Sequence, residues 1–249
     1  MIELHPITDI GEVRPGDDLA GLLAHALAGF TCRTDDILVV TQKVVSKSEG
    51  RFIDLDQVTP GPRALDLAAL TQKDPRLVEL VLSESEDVVR AVPHVLITRH
   101  RTGHVMANAG IDRSNLGPGD GERALLLPVD SDASAERLRV ALAALLPAAP
   151  GIVISDSFGR PWRTGVINVA LGVSGLPALI DRRGEIDRDG RTLEVTQVAL
   201  GDLAASAAGL LMGEGAEGVP AVLIRGLSLA GETNPASALV RPAQQDLFR

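Results

Sequence analysis

The chain has no tyrosine, one tryptophan and four phenylalanines in 249 residues, so aromatic residues make up only 2% of it. That scarcity excludes the repeated stacking platforms on which single-stranded nucleic acid is held, and it leaves the core to Leu, Val, Ile and Ala. Positive charge is also in deficit. Lys and Arg number 24 against 33 Asp and Glu, a net charge of −9. Broad binding to nucleic acid or to an anionic membrane needs a basic face, and neither is expected here. Cys32 is the single cysteine, which rules out an intrachain disulfide framework and a cysteine-based zinc cluster and fits a reducing cytoplasm. No window approaches the roughly 18 apolar residues of a spanning helix, and the first six residues lack a basic segment followed by an apolar one, so no export signal is read. No G-x-x-x-x-G-K-[ST] occurs either. A nucleotide would have to be held without a P-loop.

What the chain does have is ample core material, 45% hydrophobic residues, in patterns of both periods. Residues 37–40 read as a strand, and Val44-Val45 as its continuation. Residues 63–70 and 75–82 have helical spacing, the second opened by Asp74 before Pro75. Residues 94–100 and 104–109 form a hairpin through Arg101-Thr102-Gly103, and 117–121 is a Gly/Pro loop. Residues 125–129 read as a strand. A helix follows, capped by Asp132 or Ser134, with Leu138, Ala141, Leu142 and Leu145 on one face. Residues 151–154 are a buried strand, 192–212 a long helix ended by Gly213, and 219–224 a last strand. Hairpins mixed with crossovers predict an α+β fold, with mixed sheets and flanking helices. No linker divides the chain, so 1–249 is read as one domain, or as two intertwined ones, with a polar tail over 241–249.

The densest chemistry follows the strand at 151–154. Ser155 to Arg163 carry a carboxylate, two hydroxyls, two guanidiniums and the only Trp. An acid at the rim of a core needs a partner, and for Asp156 that is a metal ion or one of Arg160 and Arg163. Trp162 is expected to cover the motif from solvent. Asp112 and Asn115 lie in a glycine-flanked loop, where a carboxylate either holds a hard cation or closes an Asx-turn. If the two loops meet, Asp112 and Asp156 share one Mg²⁺ or Mn²⁺ and Ser157 adds a hydroxyl; oxygen-only ligands suit these ions rather than zinc. The arginines match phosphate geometry, with a structural ion pair to Asp156 as the alternative. Lys43 and Lys47 are a solvated pair or a phosphate clamp. Residues 213–218 spell G-x-G-x-x-G, but they end a helix and open a strand, the reverse of a dinucleotide fold. Glu214 there is a weaker metal candidate, beside the plain reading of a glycine C-cap. The histidines have neither metal nor triad spacing.

Four blocks together, Arg14-Pro15-Gly16-Asp17-Asp18-Leu19, residues 39–47, Gly110-Ile111-Asp112-Arg113-Ser114-Asn115 and residues 155–163, closely resemble the coenzyme F420-0:L-glutamate ligase family and span most of the chain in family order. The resemblance implies a GTP-dependent, GDP-forming ligase. It joins L-glutamate to the phospholactyl end of coenzyme F420-0 through an acyl phosphate, then extends a γ-linked tail. It implies two divalent ions, Mg²⁺ or Mn²⁺, with potassium as a further ion. Asp112 and Asp156 stand for the first-metal carboxylates, and Ser157, where the family usually has threonine, for a second-metal hydroxyl. Glu214 is carried over as a further metal ligand. Ile10, Gly11, Glu12, Val13, Thr41, Gln42, Lys47, Asn115, Gly213 and Glu214 stand at or near the nucleotide. Asp112, Asp156, Arg160 and Arg163 are the expected catalytic group. The family's intertwined homodimer is expected as well. The flavin-reductase-like domain that follows the ligase domain in some relatives is not expected in this chain.

Two other readings use the same residues. A metal-dependent phosphohydrolase would release phosphate without an amine acceptor, and a deazaflavin or nucleotide carrier would bind without forming product and have little need of the acidic pair.

Overall fold

The computed structural model describes residues 1–117, 122–227, 229 and 231–246. Most of the expected 117–121 loop and the last three residues of the expected tail lie outside them. In chain order the elements are β1 (Glu3–Ile7), α1 (Leu19–Ala26), β2 (Ile37–Thr41), α2 (Gln42–Ser48), β3 (Phe52–Asp54), α3 (Pro62–Thr71), α4 (Pro75–Ser83), β4 (Ser85–Val92), β5 (Val95–His100), β6 (Val105–Ala107), β7 (Arg123–Leu125), α5 (Ser131–Leu145), β8 (Gly151–Arg160), β9 (Arg163–Ser174), β10 (Leu179–Asp181), β11 (Gln197–Ala199), α6 (Leu200–Met212) and β12 (Ala221–Arg225). The fold is α+β, as the mixture of hairpins and helices predicts.

A five-stranded sheet, ordered β1-β12-β2-β8-β9, forms the middle layer; β2 and β8 run parallel and the other pairs antiparallel. Its central strands are buried on both faces, which is why they read as unbroken apolar runs. Leu38, Val40, Ile152, Ile154 and Leu223 pack against α1 and α5, through Leu23, Leu138 and Leu142. Ile37, Val39, Val153, Val222 and Ile224 point the other way, onto Ala204, Ala205, Ala208 and Met212 of α6. The small residues of α6 let it lie close to the sheet. A second lobe, residues 52–117 and 122–126, packs its own aliphatic core of Leu55, Leu77, Val78, Val81, Leu96 and Leu126 beneath α3 and α4.

Several elements differ from expectation. Val44-Val45 do not extend the strand: β2 ends at Thr41 and the chain turns into α2, so these residues lie on a helix over the end of the sheet. The helix over 131–145 is capped by Asp130, whose carboxylate accepts from Ala133 N at 2.9 Å. Asp132, one of the two expected caps, instead accepts from the backbone N–H groups of Val173, Ala236 and Ser237, and Ser134 donates to Glu49. Leu145 is 52% exposed rather than buried with Leu138 and Leu142. Residues 192–199 are not helical. They include β11, which pairs with β10, and α6 starts at Leu200. The expected 125–129 strand shrinks to β7, and the 104–109 strand to β6, after which the backbone turns left-handed. Residues 155–160 are no loop either; β8 runs on through them and returns as β9.

The start of α5 meets β9 with almost no space between them. A Cβ on Gly172 would stand 2.1 Å from the Ser131 carbonyl oxygen, a backbone contact that no side-chain rotation relieves. Replacing Gly172 by Ala is therefore expected to lower the unfolding free energy by about 2–3 kcal/mol. The shift in urea midpoint at constant m-value reads it; an unshifted midpoint would mean that α5 and β9 do not dock this closely.

Candidate active site

Parallel β2 and β8 end side by side, with Thr41 opposite Ser155, and a cavity of about 550 Å³ opens over those carboxyl ends. Open sheets commonly hold ligands there, because loops from neighbouring strands diverge and leave a crevice. Four segments wall it: the 11–13 loop, the β2–α2 junction with Lys43 and Lys47, the 112–115 loop, and the 213–220 loop after α6.

Asp112 arrives through an unusual backbone. Asn108, Ala109 and Gly110 have φ values of 51°, 53° and 69°, and left-handed non-glycine residues cost roughly 1–2 kcal/mol each. Glycine suits position 110, where φ is 69° and a Cβ would press on the Leu127 and Met106 side chains at 2.9 Å. The turn reverses the chain after β6 and sets Asp112 against β7, where its backbone exchanges two hydrogen bonds with Leu125. Gln42 Nε2 donates to one Asp112 oxygen at 2.8 Å, and Gln42 Oε1 in turn accepts from the buried Ser46 hydroxyl at 2.9 Å. Lys43 Nζ lies 3.5 Å from the same Asp112 oxygen and donates to the Ser114 carbonyl at 3.1 Å. Lys47 is 5% exposed and its ammonium is held by Glu12 at 2.5 Å. Asn115, at φ 54°, reaches across to the Gly215 carbonyl at 3.4 Å.

Asp156, within β8, enters the same cavity half-buried, and among the described residues no ion pair reaches it. Burial first, and then the negative charge of Asp112, push its carboxyl up to about 8. Glu214 adds to the rise, while the Ser157 backbone N–H and Lys43 oppose it. Asp112 is raised as well, by burial that outweighs Lys43 and Gln42. Burial raises both acids, and the charge of Asp112 adds to the rise of Asp156.

Of the residues expected at a site, Gly11, Glu12, Val13, Thr41, Gln42, Lys47, Asp112, Asn115, Asp156, Ser157, Gly213 and Glu214 line this one cavity. Ile10 does not; it is 4% exposed and packs in the core below the loop. Arg160 and Arg163 lie on the β8–β9 hairpin, outside the lining, and among the described residues Arg160 donates only to the Gly165 carbonyl, at 3.5 Å. Trp162, at φ 62° and 85% exposed, does not shield the carboxylates. Ser155, the first residue of the 155–163 motif, lines the cavity too, and so does Asn168, which the sequence did not single out. Asn168 is hidden because β9 has no clean alternation.

The acids and hydroxyl offer oxygen donors alone. Among the described residues no group of three His, Cys, Asp or Glu side chains converges into a metal cage. Magnesium and manganese seldom need one, since they are bound by one or two carboxylates with water and phosphate oxygens completing the shell. A carboxyl pushed to about 8 supplies an independent argument for a cation, which would restore the ionised form. Asp112, Asp156 and the Ser157 hydroxyl thus fit a hard divalent ion.

The raised carboxyl has a consequence for stability. Because the folded value exceeds the unfolded one, its contribution is fully present below about pH 4 and is lost as pH rises towards 8. In chelator, Asp156→Asn is expected to exceed the wild type in stability at pH 8 by about 2 kcal/mol, a figure reduced for screening by cavity water. The gain should shrink towards pH 4. Urea unfolding at both pH values checks this, and a pH-independent difference contradicts it.

The chain matches the family profile described as F420-0:Gamma-glutamyl ligase over residues 8–226. Proteins named coenzyme F420:L-glutamate ligase are similar along their whole length: 46% identical in Methanopyrus kandleri, covering 100% of this chain and 98% of the relative; 44% in Methanothermobacter thermautotrophicus, covering 95% and 94%; and 40% in Archaeoglobus fulgidus, covering 100% and 96%. With a match of this extent, the chain belongs to the F420-0:gamma-glutamyl ligase family.

Proposed function

We propose that the protein ligates L-glutamate to coenzyme F420-0 with GTP as the phosphoryl donor and then lengthens the γ-linked tail. The observation that carries this reading is the convergence of Asp112, Asp156, Lys43 and Lys47 on one cavity. A carboxylate is a poor electrophile at neutral pH. Transfer of the GTP γ-phosphoryl group to the acceptor carboxylate gives an acyl phosphate and GDP; attack by the glutamate amine forms the amide and expels phosphate. The work left to the protein is to gather and align negative charge. Lys43 and Lys47 face the phosphates, and Glu12 must release Lys47 as an anion enters. Gln42 holds one oxygen of Asp112 and leaves the other for a cation.

Asp112, Asp156 and Ser157 would hold a divalent ion, Mg²⁺ or Mn²⁺, which when bound would neutralise phosphoryl charge. Glu214, at the cavity edge, is a further ligand for a second ion. Potassium is carried over from the resemblance alone. The 11–13 loop offers backbone groups to the guanine base, above the buried anchor Ile10.

A homodimer is part of the same reading. Trp162, Val166, Ile186 and Val195 are 85%, 49%, 62% and 83% exposed, all on the β8–β9 hairpin and the 182–196 arm. Arg160 and Arg163 share that hairpin, a place that suits a subunit boundary better than their own chain's cavity. No described helix is long and apolar enough to cross a membrane; a cytoplasmic site of action is proposed with the pathway. The chain is taken as a single ligase domain over 1–249.

With GTP, Mn²⁺, L-glutamate and F420-0, mass-resolved products should show added glutamates, and phosphate release should require glutamate. Asp156→Asn is expected to lower the rate at least about 10³-fold with the fold intact. Equal phosphate release without glutamate would instead indicate a phosphohydrolase, and ATP as effective as GTP would remove the guanine assignment.

Metal affinity should follow proton release. Binding of Mn²⁺ must displace the proton from a carboxyl at about 8, so affinity is expected to rise between pH 6 and 8 and to level off above. Calorimetry in buffers of different ionisation enthalpy reads the released proton; a flat profile would exclude Asp156 as the ligand.

A further inference from the structure

Asn168 stands opposite Ser157 in the β8–β9 ladder. Cross-strand partners project from the same face of a sheet, so its side chain shares a wall with the Ser157 hydroxyl. The residue is only 8% exposed, yet among the described residues no hydrogen bond reaches its carboxamide. Its backbone carbonyl is engaged, accepting from Ser206 Oγ at 2.7 Å, which fixes β9 to α6. Buried amides normally have partners. Neither polar atom of this one is sealed off from the cavity.

Helix α6 makes room for it. A Cβ on Gly209 would lie 2.4 Å from Asn168 Nδ2 and 3.0 Å from Cγ. Glycine is a poor interior helix residue, and here its missing side chain is the space the amide occupies. The cavity it lines also holds the acids Asp112, Asp156 and Glu214. A neutral donor among them attracts an anionic oxygen without competing for the cation, and being held in place beforehand it need not reorganise when the ligand arrives.

We infer that Asn168 is an oxyanion-binding residue of the cavity, its amide N–H donating to a phosphoryl or carboxylate oxygen that lies beside the Ser157 hydroxyl. The identity of the ligands rests on the ligase reading; the donor itself rests on burial, register and the Gly209 space. Nucleotide phosphate and the carboxylates of glutamate or F420-0 share this chemistry, and separate binding measurements distinguish them.

The test is equilibrium binding, which needs no turnover. Guanylyl imidodiphosphate with Mg²⁺, L-glutamate with Mg²⁺ and GDP, F420-0 and Mn²⁺ alone are titrated calorimetrically into wild type, Asn168→Ala, Asn168→Asp and Gly209→Ala. One of the three anionic ligands is expected to bind at least about tenfold more weakly to Asn168→Ala, the size of a lost hydrogen bond to a charged oxygen. Gly209→Ala should weaken the same ligand by crowding the amide, and Asn168→Asp should weaken it more by placing charge against charge. Mn²⁺ affinity in Asn168→Ala should stay within about twofold of wild type, since the role is not metal ligation. Loss on the imidodiphosphate assigns a phosphoryl oxygen, and loss on glutamate or F420-0 alone assigns a carboxylate. Unchanged binding of all three ligands overturns the inference. So does tighter Mn²⁺ binding by Asn168→Asp with ligand affinity intact, which would make the side chain a cation ligand. Wild type that binds nucleotide but forms no ligated product would sink the ligase reading and leave these binding comparisons standing.

Discussion

Two carboxyl groups face one crevice, both raised by burial and one of them further by the charge of the other, and much of the local architecture serves to hold them there. Asp156 is carried by a strand buried in the central sheet, which keeps it from swinging to solvent. Asp112 comes from the other lobe, through a left-handed turn that its glycine and the packing of Leu127 and Met106 make possible. Gln42 then fixes one Asp112 oxygen. Each device alone has a modest cost or gain; together they hold the two acids in place on one crevice, where the proposed ligase would bind its cation.

The opposite end of the sheet shows what the fold does when a carboxylate is structural. Asp36, immediately before β2, is fully buried and receives the Arg225 fork at 2.9 and 2.7 Å, with the Arg33 N–H as a third donor. Burial alone would raise it, but these partners outweigh burial and hold it below the usual carboxylate range. Asp36 and Asp156 thus sit at opposite ends of neighbouring parallel strands with opposite shifts. One end is closed by a complete ion pair, and the other is left for a ligand to complete.

Sequence patterns were most legible where one interaction dominates. The apolar 37–40 and 151–154 runs mark strands buried on both faces, and Asp74-Pro75 marks a helix start because cap and ring geometry are local. Strand β4 is not visible in its sequence because it carries acids and an arginine along a largely exposed ribbon. The error at 192–199 has a related cause: an amphipathic-looking stretch pairs with β10 instead, through contacts that only the tertiary fold creates. Among the cavity residues, Asp112 and Asp156 stand out in their local sequence, whereas Gln42 is indicated by the family resemblance alone. The hairpin arginines were misleading because proximity in sequence to Asp156 does not survive the extension of β8 to Arg160. Asn168 was hidden because its meaning depends on a glycine in another element, 41 positions along the chain, which shows only when α6 is laid on β9.

The central claim is that residues 112 and 156 grip the same ion. A double-mutant cycle of Mn²⁺ binding, followed by electron paramagnetic resonance at pH 8.5 in wild type, Asp112→Asn, Asp156→Asn and the pair, measures that directly. A shared ion predicts that each single variant abolishes or sharply weakens one common site and that the double variant loses little more, a strongly non-additive result. Independent, additive losses, or one variant retaining wild-type affinity, would show that the two carboxylates do not share a cation.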